Sequence, residues 1–223
     1  MLRTIILILL STIYVQGQDA ILVKELCDKA VKFSESSDIE SNFSEADSMV
    51  DSYLQRNPLS QDNLLQDGYR FQYRLNRELK RSCPIYPSDA VKLFPRPVID
   101  LDNKLSIQQI DSLSQLVLQI NKEKKVYLYI VTIDDFYPDT TISEFSNRYR
   151  DSWSPKTPSE KGAVLIALSM TQRKFRISTG DISMTYLTDA ECTEVVNVMM
   201  PHFRATNYFD GLIAGLIAIK NNL

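Results

Sequence analysis

The sequence is poor in histidine and in phosphate-binding motifs. Its 223 residues include one histidine, His202, and no loop of the form GxxxxGK[ST]. A single imidazole does not favour a zinc site, and the missing loop argues against a nucleoside triphosphatase. The chain also lacks an excess of positive charge, because its formal net charge is −3 at pH 7. Nucleic acid is therefore not an expected partner, since binding phosphates requires a basic face.

Long apolar runs are scarce as well. The run near the N-terminus, TIILILLSTIYV, follows Arg3 and is shorter than the ~20 residues that span a bilayer. Val15 and Gly17 supply the small residues that a signal peptidase reads. The pattern predicts a signal peptide over residues 1–17 and a secreted or periplasmic mature chain without a membrane span. An uncleaved membrane anchor is the alternative.

The chain has three cysteines, and export would place them where disulfides form. Cys27 and Cys83 both lie in the first half, whereas Cys192 lies at helical spacing from apolar residues. We expect a Cys27–Cys83 disulfide, which would stabilise the first half by about 4 kcal/mol in the chain-entropy model, and a buried, reduced Cys192. Three unpaired thiols are the alternative.

The character of the sequence changes near residue 84. Residues 18–83 show helical periodicity and predict a small helical unit, which contains a glycosylation sequon at Asn42. Prolines are frequent over residues 84–97, so this segment cannot be helical throughout and is interpreted as a linker. Residues 98–223 then form the second predicted domain.

Strand-like and helix-like segments alternate in this second domain. A short strand in PVID precedes a helix that starts at Ser106, and the apolar runs KVYLYIVTI and GAVLIALSM predict buried strands. The segment TISEFSNRYRDSW lies between those two runs and predicts a helix, whereas KFRIST alternates like an antiparallel edge strand.

Two further helices complete the prediction. Thr188 and Glu191 predict a capping box for the first, which Pro201 should end or kink, and the second runs from Tyr208 to the end. The order β-α-β-α-β-β-α-α predicts an α/β fold with a small mixed central sheet and helices on both faces.

Ordered motifs between Val98 and Ile219 resemble the TPM domain. They are VIDLDNKLS, YIVTIDD, SEFSNRYRDSW, KGAVLIALSMTQRKFRISTG, YLTDAE and MMPHFRATNYFDGLIAGL. This domain occurs in a thylakoid-lumen protein of photosystem repair, an acetylcholine-receptor auxiliary protein and many bacterial exported proteins. The resemblance implies an α/β sandwich around a small central sheet. It also implies divalent-cation binding or acid phosphatase activity, roles that differ among family members.

Acidic residues occur where predicted elements end, and these are the candidate metal ligands. In open α/β sheets, ligands bind beyond the carboxyl ends of the strands, and carboxylate oxygens suit Ca²⁺ or Mg²⁺. The candidates are Asp100, Asp102, Asp134, Asp135, Asp181 and Asp189. The alternative is that these aspartates stabilise turns and helix starts, their commonest use.

Other catalytic arrangements receive less support. Lys174 and Arg176 would share one face of an edge strand, where basic residues commonly prevent unwanted strand pairing. His202 lies beside Pro201 and favours a structural or surface role over a place in a hydrolase triad. An apolar environment at Cys192 would raise its pKa and disfavour a nucleophilic role.

The chain also departs from the family pattern. Where relatives commonly carry a glycine soon after the tryptophan and an asparagine before the next strand, it has Trp153-Ser154-Pro155 and Lys161-Gly162. Ile182 and Met184 stand where relatives often have a second glycine and a glutamate. The fold tolerates such changes more easily than an inherited activity does.

The sequence therefore predicts an exported TPM-domain binding or accessory protein with a protein partner and a Ca²⁺ or Mg²⁺ site. A metal-assisted, acid phosphatase-like hydrolase is the alternative, and a purely structural domain is the third reading.

Overall fold

The structure, a computed structural model, describes residues 21–28, 48–49, 52–53, 55, 64–83, 95–153 and 162–223. The chain divides into two units, Met1–Phe94 and Pro95–Leu223. The predicted signal peptide, Asn42 and residues 84–94 of the predicted linker lie outside the described residues.

The first unit is helical where it is described. Residues 21–28 are helical, and a longer helix, α1, spans Leu64–Ser82. Its buried apolar side chains include Phe71, Tyr73 and Leu79. The structure confirms the predicted disulfide between Cys27 and Cys83, whose Cα atoms are 5.5 Å apart. This bond joins residues 21–28 to the end of α1.

The second unit is built on a four-stranded sheet in the order β1-β2-β3-β4. Strand β2 pairs parallel with β1 and with β3, whereas β4 pairs antiparallel with β3. The predicted mixed α/β fold is confirmed. The elements are β1 Val98–Asp100, α2 Ile107–Lys124, β2 Tyr127–Thr132, α3 Ile142–Trp153, β3 Ala163–Ser169, β4 Lys174–Thr179, α4 Asp189–Arg204 and α5 Tyr208–Asn222.

One face of the sheet carries the larger apolar core. Leu128 and Ile130 of β2 and Ile166 of β3 belong to this core. They recur at every second residue because successive side chains of a strand point to opposite faces. Helices α2, α4 and α5 supply the other core residues, which include Leu113, Val117, Ile120, Val195, Met199, Leu212, Leu216 and Ile219.

The opposite face is covered by an aromatic cluster on and beside α3. Tyr129 of β2 contacts Trp153 edge-on, with ring centroids 5.1 Å apart. Trp153 also lies 5.3 Å from Tyr149, which in turn lies 4.8 Å from Phe145. Burial raises the pKa of the Tyr149 hydroxyl to about 12. These spacings follow one side of the helix, so a single stripe of α3 covers the sheet.

Local capping sets the starts of two helices. Ser106 is the N-cap of α2, and Thr188 is the N-cap of α4, each in a reciprocal capping box. The predictions made from Ser106 and from the Thr188–Glu191 pair are confirmed.

The prediction that Pro201 ends the helix is wrong, and a kink at Pro201 stays a prediction. Helix α4 continues past Pro201 to Arg204, so Pro201 does not end it. The N–H of Ala205 donates to the carbonyl of Pro201 at 3.2 Å, and the N–H of Thr206 donates to that of Phe203 at 3.0 Å. Phe203 also packs edge-on against Phe175. The last turn of α4 is therefore held by local backbone hydrogen bonds and by one contact with β4 that the local sequence did not reveal.

Two glycines let α5 approach α4 closely. A Cβ atom at Gly211 would lie 2.5 Å from the ring of Phe203, and one at Gly215 would lie 2.5 Å from the sulfur of Met199. The four-residue spacing places both glycines on one side of α5. Among the described residues, no helix is both long enough and apolar enough to cross a membrane.

Candidate functional site

The carboxyl ends of the parallel strands meet at one edge of the sheet. Asp100 of β1 is paired in register with Thr132 of β2. The segment 101–105 leaves β1 there, and the segment 133–141 leaves β2. We call this edge, together with the β3–β4 turn at 170–173, the carboxylate end.

Asp100 is fully buried at the carboxylate end. Its Oδ1 accepts hydrogen bonds from the Thr132 hydroxyl and from the backbone N–H of Lys104, the latter at 3.4 Å. Its Oδ2 accepts one from the N–H of Leu105 at 3.2 Å. Both oxygens therefore hold the chain that leads from β1 to the N-cap of α2.

Asp102 is 7% exposed and contacts the β3–β4 turn. Its Oδ2 accepts hydrogen bonds from the N–H groups of Met170 at 2.9 Å and Thr171 at 3.1 Å. Its Oδ1 accepts one from the Thr171 hydroxyl at 2.7 Å. This carboxylate joins two loops that lie almost seventy residues apart in the sequence.

Asp134 and Asp135 are half-buried in the segment that follows β2. Oδ1 of Asp135 accepts a hydrogen bond from the N–H of Tyr137 at 3.1 Å, the local bond of an Asx turn. The backbone carbonyl of Asp134 accepts one from Nε2 of Gln172 at 3.1 Å. The same segment is anchored through Asp139, whose Oδ2 lies 2.6 Å from a guanidinium nitrogen of Arg148.

Asp181 and Asp189 belong to the other end of the sheet. Because β4 is antiparallel to β3, Thr179 pairs with Val164 at the start of β3. Asp181 follows two residues later, and Asp189 begins α4; both are exposed. The six predicted ligands are therefore divided, four at the carboxylate end and two near the opposite end.

The four aspartates at the carboxylate end differ in how well they fit a divalent cation. Calcium and magnesium need oxygen atoms that face the ion, whereas the oxygens of Asp100 and Asp102 face hydrogen-bond donors. Asp134 and Asp135 are more accessible. Across the residues that the structure describes, no group of three or more His, Cys, Asp or Glu side chains could hold a metal ion. The cation site stays a prediction.

Of the two other candidates, Cys192 is free as predicted but less buried than predicted, and the role of His202 stays a prediction. Cys192 is half-buried and unpaired. Burial, and to a smaller degree Asp189 and Glu191, raise the pKa of its thiol to about 11, which disfavours the thiolate. His202 is half-buried in the last turn of α4, where its Cβ would lie 3.1 Å from a Cβ added at Gly211.

The opposite end also has features that the sequence did not reveal. Ile182, Met184 and Tyr186 are exposed by 38%, 46% and 43%, although all three are large and apolar or aromatic. Met184 lies in the short 3₁₀ turn Ser183–Thr185, and Ile182 and Tyr186 flank this turn. We call residues 182–186 the apolar loop. In the sequence, the apolar loop was indicated only by the departure from the family pattern at residues 182 and 184.

Neighbouring residues fix the apolar loop in place. The Ser183 hydroxyl donates to the carbonyl of Ala163 at 2.8 Å. Gly162 has φ +75°, and a Cβ atom there would lie 3.1 Å from the N of Ser183. Arg150 of α3 donates to the carbonyl of Thr179 at 2.7 Å and to the Ser178 hydroxyl at 2.8 Å. Contacts with the sheet and with α3 therefore fix both the start of the apolar loop and the turn within it.

A mixed four-stranded sheet between helices defines this unit as an α/β sandwich domain. The family profile described as the TPM domain matches residues 98–222. The chain belongs to the TPM domain family.

Solved structures that are similar to this chain include two solution structures of N-terminal domains. The solution structure of the N-terminal domain of a protein from P. gingivalis is 28% identical, with a TM-score of 0.50, over 57% of this chain and 82% of that one. The N-terminal domain of the cg2496 protein from Corynebacterium glutamicum is 12% identical, with a TM-score of 0.47, over 58% of this chain and 81% of that one. No curated protein matches the chain significantly.

Proposed function

We propose that this TPM-domain protein is exported and acts as a binding or accessory protein, with the apolar loop as its docking surface. The observation that supports this function is the exposure of Ile182, Met184 and Tyr186 within five residues. Methionine and aromatic side chains are enriched in protein interfaces, and clustered exposed apolar residues commonly mark interaction sites.

The surroundings of the apolar loop favour a partner with apolar and basic side chains. Asp181 and Asp189 flank the loop and are exposed. Asp151 at the end of α3 has a 64% exposed side chain and pairs with Arg150, which also bonds to Thr179 just before the loop. A segment that combines apolar residues with lysine or arginine would complement this surface in both respects.

Export is supported by the disulfide and by the N-terminal sequence. The Cys27–Cys83 bond belongs to the kind that persists in oxidising compartments. The apolar run after Arg3 has the features of a signal peptide. Mass spectrometry of the mature protein from its native host tests this part, and an N-terminus near Gln18 is expected.

The docking experiment compares two sets of substitutions in the full mature chain. Ile182→Ser, Met184→Ser and Tyr186→Ser together remove the apolar loop. Val198→Ser with Ile217→Ser is the matched control, because these side chains are 44% and 48% exposed on α4 and α5. Tagged proteins are used to capture partners from the native exported fraction, and the captured protein is then purified.

The expected result is a purified partner that binds the wild-type and control proteins and loses affinity for the triple variant. Added salt should weaken binding, because it screens the attraction between the exposed carboxylates of Asp151, Asp181 and Asp189 and the basic groups of the partner. Equal binding by the triple variant would exclude the apolar loop. The purified wild-type protein could instead form a dimer that the triple substitution abolishes. That result would identify a second copy of the chain as the molecule bound at the apolar loop, and it would overturn the proposal of a basic partner.

Cation binding is a separate part of the proposal and rests on Asp134 and Asp135. They are the more accessible carboxylates at the carboxylate end. Millimolar calcium should shift their amide NMR signals and raise the melting temperature in the wild type but not in the Asp134→Ala/Asp135→Ala variant. The alternative, a metal-assisted phosphatase, requires hydrolysis of an aryl phosphate that the same double substitution abolishes.

A further inference from the structure

Two buried carboxylates at the carboxylate end receive more hydrogen bonds than turn formation requires. Asp100 accepts at least three hydrogen bonds, from the hydroxyl of Thr132 and the N–H groups of Lys104 and Leu105. Asp102 also accepts three, from the N–H groups of Met170 and Thr171 and from the Thr171 hydroxyl. Burying a charged group without such donors would be costly.

Thr132 connects the two carboxylates. Its hydroxyl donates to Asp100 and accepts a hydrogen bond from the N–H of Asp102 at 3.4 Å. The backbone ladder continues beside it, since the N–H of Leu101 donates to the Thr132 carbonyl at 2.9 Å. The loop after β1, the end of β2 and the β3–β4 turn are thereby joined in one network.

A cation would have to compete with these donors. Binding an ion through Asp100 or Asp102 would turn oxygens away from buried N–H groups and leave those groups unpaired, which is unfavourable. We propose that Asp100 and Asp102 are structural hydrogen-bond acceptors that hold the β1–α2 loop against the β3–β4 turn, and that neither is a ligand of a divalent cation.

Asp102 is also a positioning residue for the segment that follows β2. It holds Met170 and Thr171, and the next residue, Gln172, contacts the carbonyl of Asp134. A change at Asp102 is therefore transmitted through the β3–β4 turn to Asp134. This places Asp102 next to the candidate cation loop without making it a ligand.

Substitution of Asp102 by asparagine distinguishes a hydrogen-bond acceptor from a cation ligand. An asparagine Oδ1 can accept both backbone N–H bonds, and the Thr171 hydroxyl can turn to accept from the new amide. Asp102→Asn should lower the melting temperature by less than ~3 °C. Asp102→Ala leaves the buried donors without partners and should lower it by about 5–10 °C.

The same substitution at Asp100 should be more damaging. Each oxygen of Asp100 faces a backbone N–H, from Lys104 or Leu105, and a backbone donor cannot reverse. Either orientation of the asparagine amide thus sets a donor against a donor. Asp100→Asn should lower the melting temperature by about 5 °C or more, well above the effect of Asp102→Asn.

Full-length wild type and variants are melted with and without millimolar calcium, and their amide spectra are recorded. Of the three variants, Asp102→Asn should show the smallest loss of melting temperature. Its melting temperature should also respond to calcium in the same way as that of the wild type, whether or not the wild type responds. The amide signals of residues 134 and 135 should shift in Asp102→Ala but not in Thr188→Ala. The second variant is the control, because it also removes a side chain that accepts a backbone hydrogen bond but lies near the opposite end of the sheet.

Three results would overturn the proposal. The first is a wild-type calcium response that folded Asp102→Asn or folded Asp100→Asn lacks. The second is equal melting of the two asparagine variants. The third is an Asp102→Ala protein that melts like the wild type. If Asp102→Ala fails to fold, the two asparagine variants still decide the question. Failure of docking through the apolar loop would leave all of these results unaffected.

Discussion

The two ends of the sheet use their side chains in opposite ways. At the carboxylate end, the charged groups of Asp100 and Asp102 turn inward and accept hydrogen bonds from the backbone. At the other end, the apolar loop turns large side chains outward. Charge is buried at one end and apolar surface is exposed at the other, although the sequence placed candidate metal ligands at both ends.

This contrast shows that residue type alone does not decide whether a side chain is buried or exposed. A buried aspartate is tolerated because donors surround it. An exposed isoleucine or methionine has no such compensation within the loop. Our two proposals thus place fold stability at the carboxylate end and partner docking at the apolar loop, and the following substitutions test that division.

The largest effect is expected for Thr132→Val. Valine keeps the shape of threonine but removes the hydroxyl between Asp100 and the N–H of Asp102, so the free energy of unfolding should fall by about 2–3 kcal/mol. Denaturant unfolding measures it. Thr185→Val is the matched control in the apolar loop, where the exposed hydroxyl bonds to the Ile182 carbonyl at 2.7 Å. Equal losses in both variants would remove the contrast.

Arg150→Ala should have the next largest effect. The mostly buried guanidinium holds the Ser178 hydroxyl and the Thr179 carbonyl at the start of the apolar loop, and its loss should cost about 1–2 kcal/mol of stability. Arg176→Ala, on the exposed side of β4, is the control and should be nearly neutral in the same unfolding experiment. A neutral Arg150→Ala would show that the loop does not depend on α3.

The capping box of α4 should contribute less. Thr188→Ala should destabilise the protein by about 1 kcal/mol. The N–H of Thr188 and then its hydroxyl lower the pKa of Glu191 from 4.5. The stabilisation from this carboxylate is therefore present above pH 4.5 and is lost as the pH falls through the lowered pKa. Urea unfolding measured over about three pH units, from pH 6 down to pH 3, checks this. The free energy of unfolding should fall more steeply in the wild type than in Glu191→Gln.

The smallest effect on stability is expected for the apolar loop itself. The triple change Ile182→Ser, Met184→Ser and Tyr186→Ser removes exposed surface and should alter the free energy of unfolding by no more than about 0.5 kcal/mol. Thermal melting checks this, with Val198→Ser/Ile217→Ser as the control. A large loss would mean that these side chains support the fold, and the loss of partner binding could not then be assigned to recognition.

Local patterns were sufficient to predict most elements of the second unit. The capping residues Ser106 and Thr188 marked helix starts, and the continuous apolar runs marked β2 and β3, because these signals depend on neighbours in the sequence. Pro201 shows the limit of such reasoning. The contact between Phe203 and Phe175 lies outside the local window, and the helix continues to Arg204.

The site was predictable only in part. Sequence position placed Asp100, Asp102, Asp134 and Asp135 at the ends of parallel strands, and the paired ends of β1 and β2 bear this out. It gave no indication that Thr132 and Thr171 would donate to the two carboxylates. Asp181 was grouped with them by type, although the antiparallel direction of β4 places it near the other end.

The sequence by itself determined the order of strands and helices, the capped helix starts and the family, and it favoured the pairing of Cys27 with Cys83. These features follow from local periodicity, from ordered motifs and from a small number of cysteines. The tertiary structure decided which carboxylates are enclosed by donors and which apolar side chains remain exposed. Both depend on contacts between segments far apart in the chain, such as Asp102 with Met170, and no local pattern encodes such a contact.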